Sequence, residues 1–194
     1  MDRRIKMIGN IQKSLFFIFT IWSIFILDII IPIDFTKYGI LPRTIFGLTG
    51  IPLSPFLHAG LFHIISNTIP LFVLLFLLFT FYKKESVTVI ILIILIGGFL
   101  VWIFGRKSYH IGASGLIYGL VAFLIASGIM RRNITSIIVA LIVFFLYGGL
   151  IYGLFPRESY ISWEAHLFGA IAGILCSAFL KKRKIVEKEN KENF

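Results

Sequence analysis

The chain is short of charge, of cysteine and of acidic residues, and each shortage closes off a class of protein. Charged residues fill 14% of its 194 positions, against about a quarter in an ordinary soluble domain. That is too little to solvate a water-facing surface of this size. The single cysteine, Cys176, lies in an apolar stretch; it excludes an intramolecular disulfide and a cysteine-built metal site, and reads as a small packing residue. Nine acids occur in all, and Asp28 is the only one well inside an apolar run, so no pair exists for an intramembrane aspartyl dyad. Asp28 itself is read as packing toward the bundle. No H-E-x-x-H occurs, which excludes a zinc peptidase of that kind. The four histidines, His58, His63, His110 and His166, lack the spacing of a metal site. The G-x-S-x-G elbow of soluble hydrolases is missing too. The expectation is therefore no metal and no cofactor. A net charge of +10 would raise nucleic-acid binding in a soluble protein. Here the positive charges sit at the ends of apolar runs and in the C-terminal KKRKIVEKENKENF. No basic stripe is interleaved with stacking aromatics, so the expected partner is the bilayer and its anionic lipids, with no nucleic acid.

What the chain does have is hydrophobic length. Hydrophobic residues make up 58% of it, and the mean hydropathy is +0.96. A helix crosses a bilayer with roughly 20 apolar residues, and six segments qualify: about 15–33, 63–82, 87–104, 112–130, 134–155 and 165–180. The fold class expected is an all-α membrane protein with a six-helix bundle. The first segment lacks a small-residue cleavage site and is expected to remain as an anchor. Six crossings place both termini on one side. With the termini inside, the cytoplasmic segments hold 14 of the 19 Lys and Arg residues, including Arg3, Arg4, Lys83, Lys84, Arg131 and Arg132. Positive charge favours the cytoplasm, which predicts an N-in, C-in topology. Residues 1–14 then form a cytoplasmic arm, 15–180 the membrane domain and 181–194 a basic, lipid-contacting tail. One connection stands apart, the loop 34–62. It is rich in Gly, Pro and large apolar residues and is expected to pack on the bundle or lie in the interface with its aromatics buried.

Polar groups inside a bilayer are costly, and they default to functional hypotheses. His63 and Asn67 lie near the start of the second span, Ser114 at the start of the fourth and His166 at the start of the sixth. These three spans run in the same direction, so all four residues fall at one depth, toward the outer leaflet. His63 and Asn67 share a helical face at i, i+4, as do Ser114 and Tyr118. Gly115 and Gly119, and again Gly169 and Gly173, form G-x-x-x-G pairs that let helices approach closely. A serine needs such an approach to reach a histidine on another helix. Taken singly, a glycine-flanked serine is a packing residue and a histidine at a helix start is an interfacial one. Their meeting at one depth favours a nucleophile and base.

The stretches HAGLFHIISN (58–67), GASGLIYG (112–119) and AHLFGAIAG (165–173) resemble the three signatures of rhomboid intramembrane serine proteases, in that family's order, over about residues 15–180. The resemblance implies a rhomboid-type bundle in which Ser114 is the nucleophile and His166 the general base of a dyad without an acid. It implies that His63, Asn67 and the Ser114 N–H stabilise the oxyanion, that Tyr118 stacks on the catalytic histidine, and that Gly112 keeps the oxyanion region open. His58 matches a family histidine that is read as structural. Many members carry a Trp-Arg pair in the first loop. None is present here, and Arg43 in LPR is the nearest candidate, expected to anchor the loop through backbone carbonyls.

The function implied is hydrolysis of peptide bonds in or near transmembrane helices of membrane-protein substrates. Access would be lateral, near the second and fifth spans, beneath a lid at 156–163 carrying Arg157, Glu158 and Tyr160. The expected location is a bacterial cell membrane, with the site open to the non-cytoplasmic side. The competing reading is a catalytically silent rhomboid-like scaffold that binds transmembrane helices. Such relatives lose the serine or the histidine, and this chain keeps both. A transporter would need polar residues through the whole thickness, whereas runs such as LFVLLFLLF lie below the polar level.

Overall fold

The computed structural model of the chain describes residues 3–156 and 162–192. Among them there is no strand, only an isolated antiparallel bridge between Ile40 and His110. Seven α-helices follow in order: α1 (Arg3–Ile30), α2 (Ile45–Leu53), α3 (Leu61–Phe81), α4 (Ser86–Phe104), α5 (Ser114–Arg131), α6 (Ile134–Tyr147) and α7 (Trp163–Glu192). The fifth crossing is α6 prolonged by a 3₁₀ segment, Gly148–Leu154. Among the described residues six helices are long and apolar enough to cross a membrane, in agreement with the six segments read from hydropathy. The boundaries differ at the two ends of the chain. Both α1 and α7 extend past the apolar stretch into charged sequence, because Arg, Lys, Gln and Glu are good helix formers and neither flank contains a proline. Hydropathy marks what the bilayer holds and not where a helix stops.

The bundle is built around α5. Of its span 56% is buried, against 17% for α1, so α5 is central and α1 peripheral. Apolar burial does not drive helices together in lipid, and close backbone contact takes over that role. The glycine pairs provide it. A Cβ on Gly169 would strike the Gly115 carbonyl, one on Gly173 the Gly119 carbonyl, and one on Gly115 would lie 3.2 Å from the Ala165 carbonyl. The α5–α7 pair is the most extensive contact in the molecule, as the two G-x-x-x-G patterns predict. Cys176 is buried in the core with Leu120, Leu124 and Val143, a packing residue as expected. Phe16, Phe19, Ile134 and Phe145 point outward, the surface a bilayer covers.

The long loop is not irregular throughout. Thr44 caps α2 by accepting from the Gly47 N–H at 3.0 Å. The helix rests on α4, where Ile40, Ile51 and Val101 form a small second cluster. The loop thus packs on the bundle: Phe56 stacks on Phe17 of α1 with centroids 5.2 Å apart, while Tyr38 and Phe46 face outward, 40% and 50% exposed. Gly47 and Gly50 press against the Leu41 and Gly39 backbone, folding the loop on itself, while Ile40 and Ile51 turn toward Gly98 of α4. Arg43, in a left-handed conformation with φ 59°, donates from Nη1 to the carbonyls of Ile103 and Gly105, both at 2.9 Å. It ties the loop to the last turn of α4, as anticipated. Trp102 adds an indole N–H bond to the Thr44 carbonyl at 2.8 Å. Asp28 is half-buried on the face of α1 that carries the core residues Ile21 and Phe25, and its carboxylate accepts the Phe35 N–H at 2.8 Å. It caps the turn where the chain leaves α1.

Candidate active site

Ser114 opens α5, so its N–H is among the first of that helix, which have no intrahelical acceptor. His166 lies one turn into α7 and His63 one turn into α3. The three helix starts meet at the same end of the bundle. The Ser114 hydroxyl lies 2.9 Å from Nε2 of His166. The other ring nitrogen, Nδ1, lies 2.9 Å from the Gly153 carbonyl. Tyr118, one turn after Ser114, stacks on the imidazole with centroids 4.1 Å apart and planes within 4°. The His166 ring is therefore fixed in plane by Tyr118 and in rotation by two hydrogen-bond partners. Ser114 is half-buried, while His166 is 9% exposed.

The approach to Ser114 is shaped by Gly112. Its φ of +107° suits only glycine, and a Cβ there would lie 2.6 Å from Nε2 of His63. Its N–H donates to the Ser54 carbonyl at 2.8 Å, which anchors the chain two residues before the serine. Asn67 is buried, and its amide donates to the His63 carbonyl at 2.8 Å, holding the two residues on one face. All six residues singled out in the sequence, Ser114, His166, His63, Asn67, Gly112 and Tyr118, fall within this one cluster. The lid expected at 156–163 falls partly on residues 157–161, which lie outside the described residues.

His58 stands behind the cluster in the loop, 2% exposed, accepting the Ala113 N–H at 3.4 Å and meeting the His63 ring edge-on. Burial, and then the neighbouring His63, push its pKa down to about 4. His110, also in a loop, is shifted the same way, by burial. The folded protein thus holds both rings neutral where the unfolded chain, near 6.5 for His58, takes up protons. Stability is full above that value and falls as the pH drops from about 6.5 toward 4. Thermal melts in detergent at pH 7.5 and pH 5 should show the loss. In His58→Gln the difference should shrink without vanishing, because His110 still contributes.

Two features of the site had no side-chain motif to announce them. One is the Gly153 carbonyl. The other is a clasp at the start of α7, where buried Glu164 pairs with Arg106 at 3.4 Å, and His110 bridges the Ser162 hydroxyl at 2.6 Å and the Arg106 carbonyl at 3.0 Å. The clasp ties the α4–α5 connection to the helix that carries His166. Among the described residues no three of His, Cys, Asp and Glu gather in a way that could hold a metal ion.

Comparison with known proteins agrees with this architecture. Residues 46–183 match the family model of the Rhomboid domain. Uncharacterised proteins of Mycobacterium tuberculosis and Mycobacterium bovis are 38% identical over 151 residues, 73% of this chain and 63% of theirs. One of Mycobacterium leprae is 38% identical over 142 residues, 69% of this chain and 56% of its own. The chain thus spans less than two thirds of the length of these relatives. With a family match covering most of the chain and six helices fit to cross a bilayer, the protein is an integral multi-pass membrane protein and belongs to the rhomboid family.

Proposed function

We propose that the chain is an intramembrane serine endopeptidase that cleaves peptide bonds in or near the transmembrane helices of other membrane proteins, using Ser114 and His166 as a dyad. The observation that carries this reading is the 2.9 Å contact between the Ser114 hydroxyl and Nε2 of His166, made by two helices packed glycine to glycine. As Ser114 Oγ attacks the scissile carbonyl carbon, its proton passes to Nε2 of His166. The tetrahedral oxyanion forms at the start of α5, where the unpaired N–H groups and the positive end of the helix dipole favour negative charge. The Ser114 N–H, His63 and Asn67 are its donors, and Gly112 leaves room for it. His166 then protonates the leaving amine, and a water molecule, activated by His166 in turn, hydrolyses the acyl-enzyme.

Water must reach the site, and an N-in, C-in topology places it just below the outer face of the membrane. The excess of Lys and Arg on the segments assigned to the cytoplasm supports that orientation. The mycobacterial relatives support a bacterial cell membrane. In this reading residues 15–180 form the protease domain, 1–14 a cytoplasmic arm and 181–194 a basic tail. A substrate helix must unwind to expose its backbone. The side between α3 and the fifth crossing suits its approach, because α6 leans on α5 and barely touches α3.

Cleavage of a test transmembrane substrate by the purified protein in lipid checks this. Asn67→Ala should lower kcat by about 100-fold, the usual cost of one oxyanion donor, while chelators leave the rate unchanged. Wild-type activity in Asn67→Ala would remove Asn67 from the oxyanion site, and loss of activity on chelation would contradict the serine mechanism.

A further inference from the structure

We propose that the backbone carbonyl of Gly153 is the positioning partner of His166, taking the place an acidic side chain holds in a serine triad. The inference rests on the protease reading and deepens it. A neutral imidazole carries one proton on one of two nitrogens, and its hydrogen-bond partners select which. At Nδ1 the partner is a carbonyl, 2.9 Å away, which can only accept. At Nε2 the partner is the Ser114 hydroxyl, 2.9 Å away, which can donate or accept. The one arrangement that satisfies both puts the proton on Nδ1 and aims the lone pair of Nε2 at Ser114. That is the form a general base requires. When the ring takes the serine proton, the same carbonyl accepts from the imidazolium and keeps it facing the leaving group.

Among the described residues no carboxylate hydrogen-bonds the His166 ring. Glu164, two residues before His166, turns its Oε1 to the Arg106 guanidinium and backbone N–H. The acceptor instead comes from the 3₁₀ segment Gly148–Leu154 that ends the fifth crossing. Position 153 has to be glycine for a steric reason: a Cβ there would collide with the Tyr118 hydroxyl and lie 3.4 Å from Nδ1 of His166. The carbonyl can approach the ring only because Tyr118, stacked on that ring, meets no side chain at this point. The segment therefore reads the position of His166 and Tyr118 together. A shift of the end of the fifth crossing withdraws the acceptor from the base.

The test uses the full chain in lipid nanodiscs with ¹⁵N-labelled histidine. In wild type the His166 signals, identified by their loss in His166→Ala, should show a protonated Nδ1 and a bare Nε2. Gly153→Ala should give a mixture of tautomers. It should lower kcat by at least about 10-fold with KM little changed, as expected when a catalytic histidine loses the partner that sets its tautomer. Gly149→Ala is the control on the same segment, since a Cβ there meets nothing within 4 Å; it should keep the wild-type spectrum and rate. Should Gly153→Ala fail to fold, an amide-to-ester replacement at Leu154 weakens the Gly153 carbonyl without adding an atom near Tyr118. It should give the same tautomer mixture, and an ester at Tyr152 should not. A wild-type His166 with its proton on Nε2, or a Gly153→Ala enzyme as fast as Gly149→Ala, overturns the proposal. Ser114→Ala run alongside separates the two readings. If it cleaves at the wild-type rate, the dyad itself is wrong, whereas an inactive Ser114→Ala beside a fully active Gly153→Ala sinks only the role of the carbonyl.

Discussion

Ser114→Ala should abolish cleavage of a transmembrane substrate, with a loss of about 10⁵-fold or more, the scale at which nucleophile and base act as a unit. The protein should still insert and fold. Ser114 is half-buried, and its hydroxyl is bonded to His166. The packing that holds α5 to α7 comes from Gly115, Gly119, Gly169 and Gly173, which the substitution leaves alone. A melting curve near that of wild type, beside absent activity, is the expected pair of results. An inactive variant that had also unfolded would carry no information about the nucleophile, so both measurements belong together.

Gly112→Ala should come second in size, with kcat lower by about 10²–10³-fold, the cost of losing an oxyanion donor. Two effects act together. A backbone at φ +107° resists any side chain, at a cost of order 1–3 kcal/mol. The added methyl would also lie 2.6 Å from Nε2 of His63, so either the imidazole turns away or the peptide carrying Gly112 moves. The first removes an oxyanion donor, and the second displaces Ser114, two residues on. The N–H of Gly112 is anchored on the Ser54 carbonyl, which makes the imidazole the more mobile party. Gly60→Ala is the control. That glycine is extended and open, with nothing within 4 Å of an added Cβ, and its activity should stay within about twofold of wild type, as for surface substitutions generally.

The fold was legible where physics leaves a mark on side chains. Long apolar runs mark the crossings, because a bilayer tolerates no other spanning helix. The close packing of α5 on α7 was written in Gly115, Gly119, Gly169 and Gly173. The clustering of His63, Asn67, Ser114 and His166 followed from counting crossings, since polar residues at the starts of parallel spans must share a depth. What stayed hidden were contacts made by the backbone or by capping groups. Gly153 offers a carbonyl, and every residue has one, so no letter in the sequence announces it. Asp28 looked like an intramembrane acid in need of a partner, but its partner is the Phe35 N–H, visible only once the chain turns back. Arg43 could be guessed as an anchor, while its two acceptors at the end of α4 could not. The packing of the loop stayed hidden for the same reason: Gly47 and Gly50 seat on the Leu41 and Gly39 backbone, and Ile40 and Ile51 meet α4.

The most direct measurement is covalent labelling with a serine-directed fluorophosphonate, read by peptide mass spectrometry on the full-length protein in lipid. Ser114 attacks phosphorus with His166 as base, so the account predicts one adduct, on the peptide carrying Ser114, absent from both Ser114→Ala and His166→Ala. An adduct on another serine, or labelling that persists undiminished in Ser114→Ala, would contradict it.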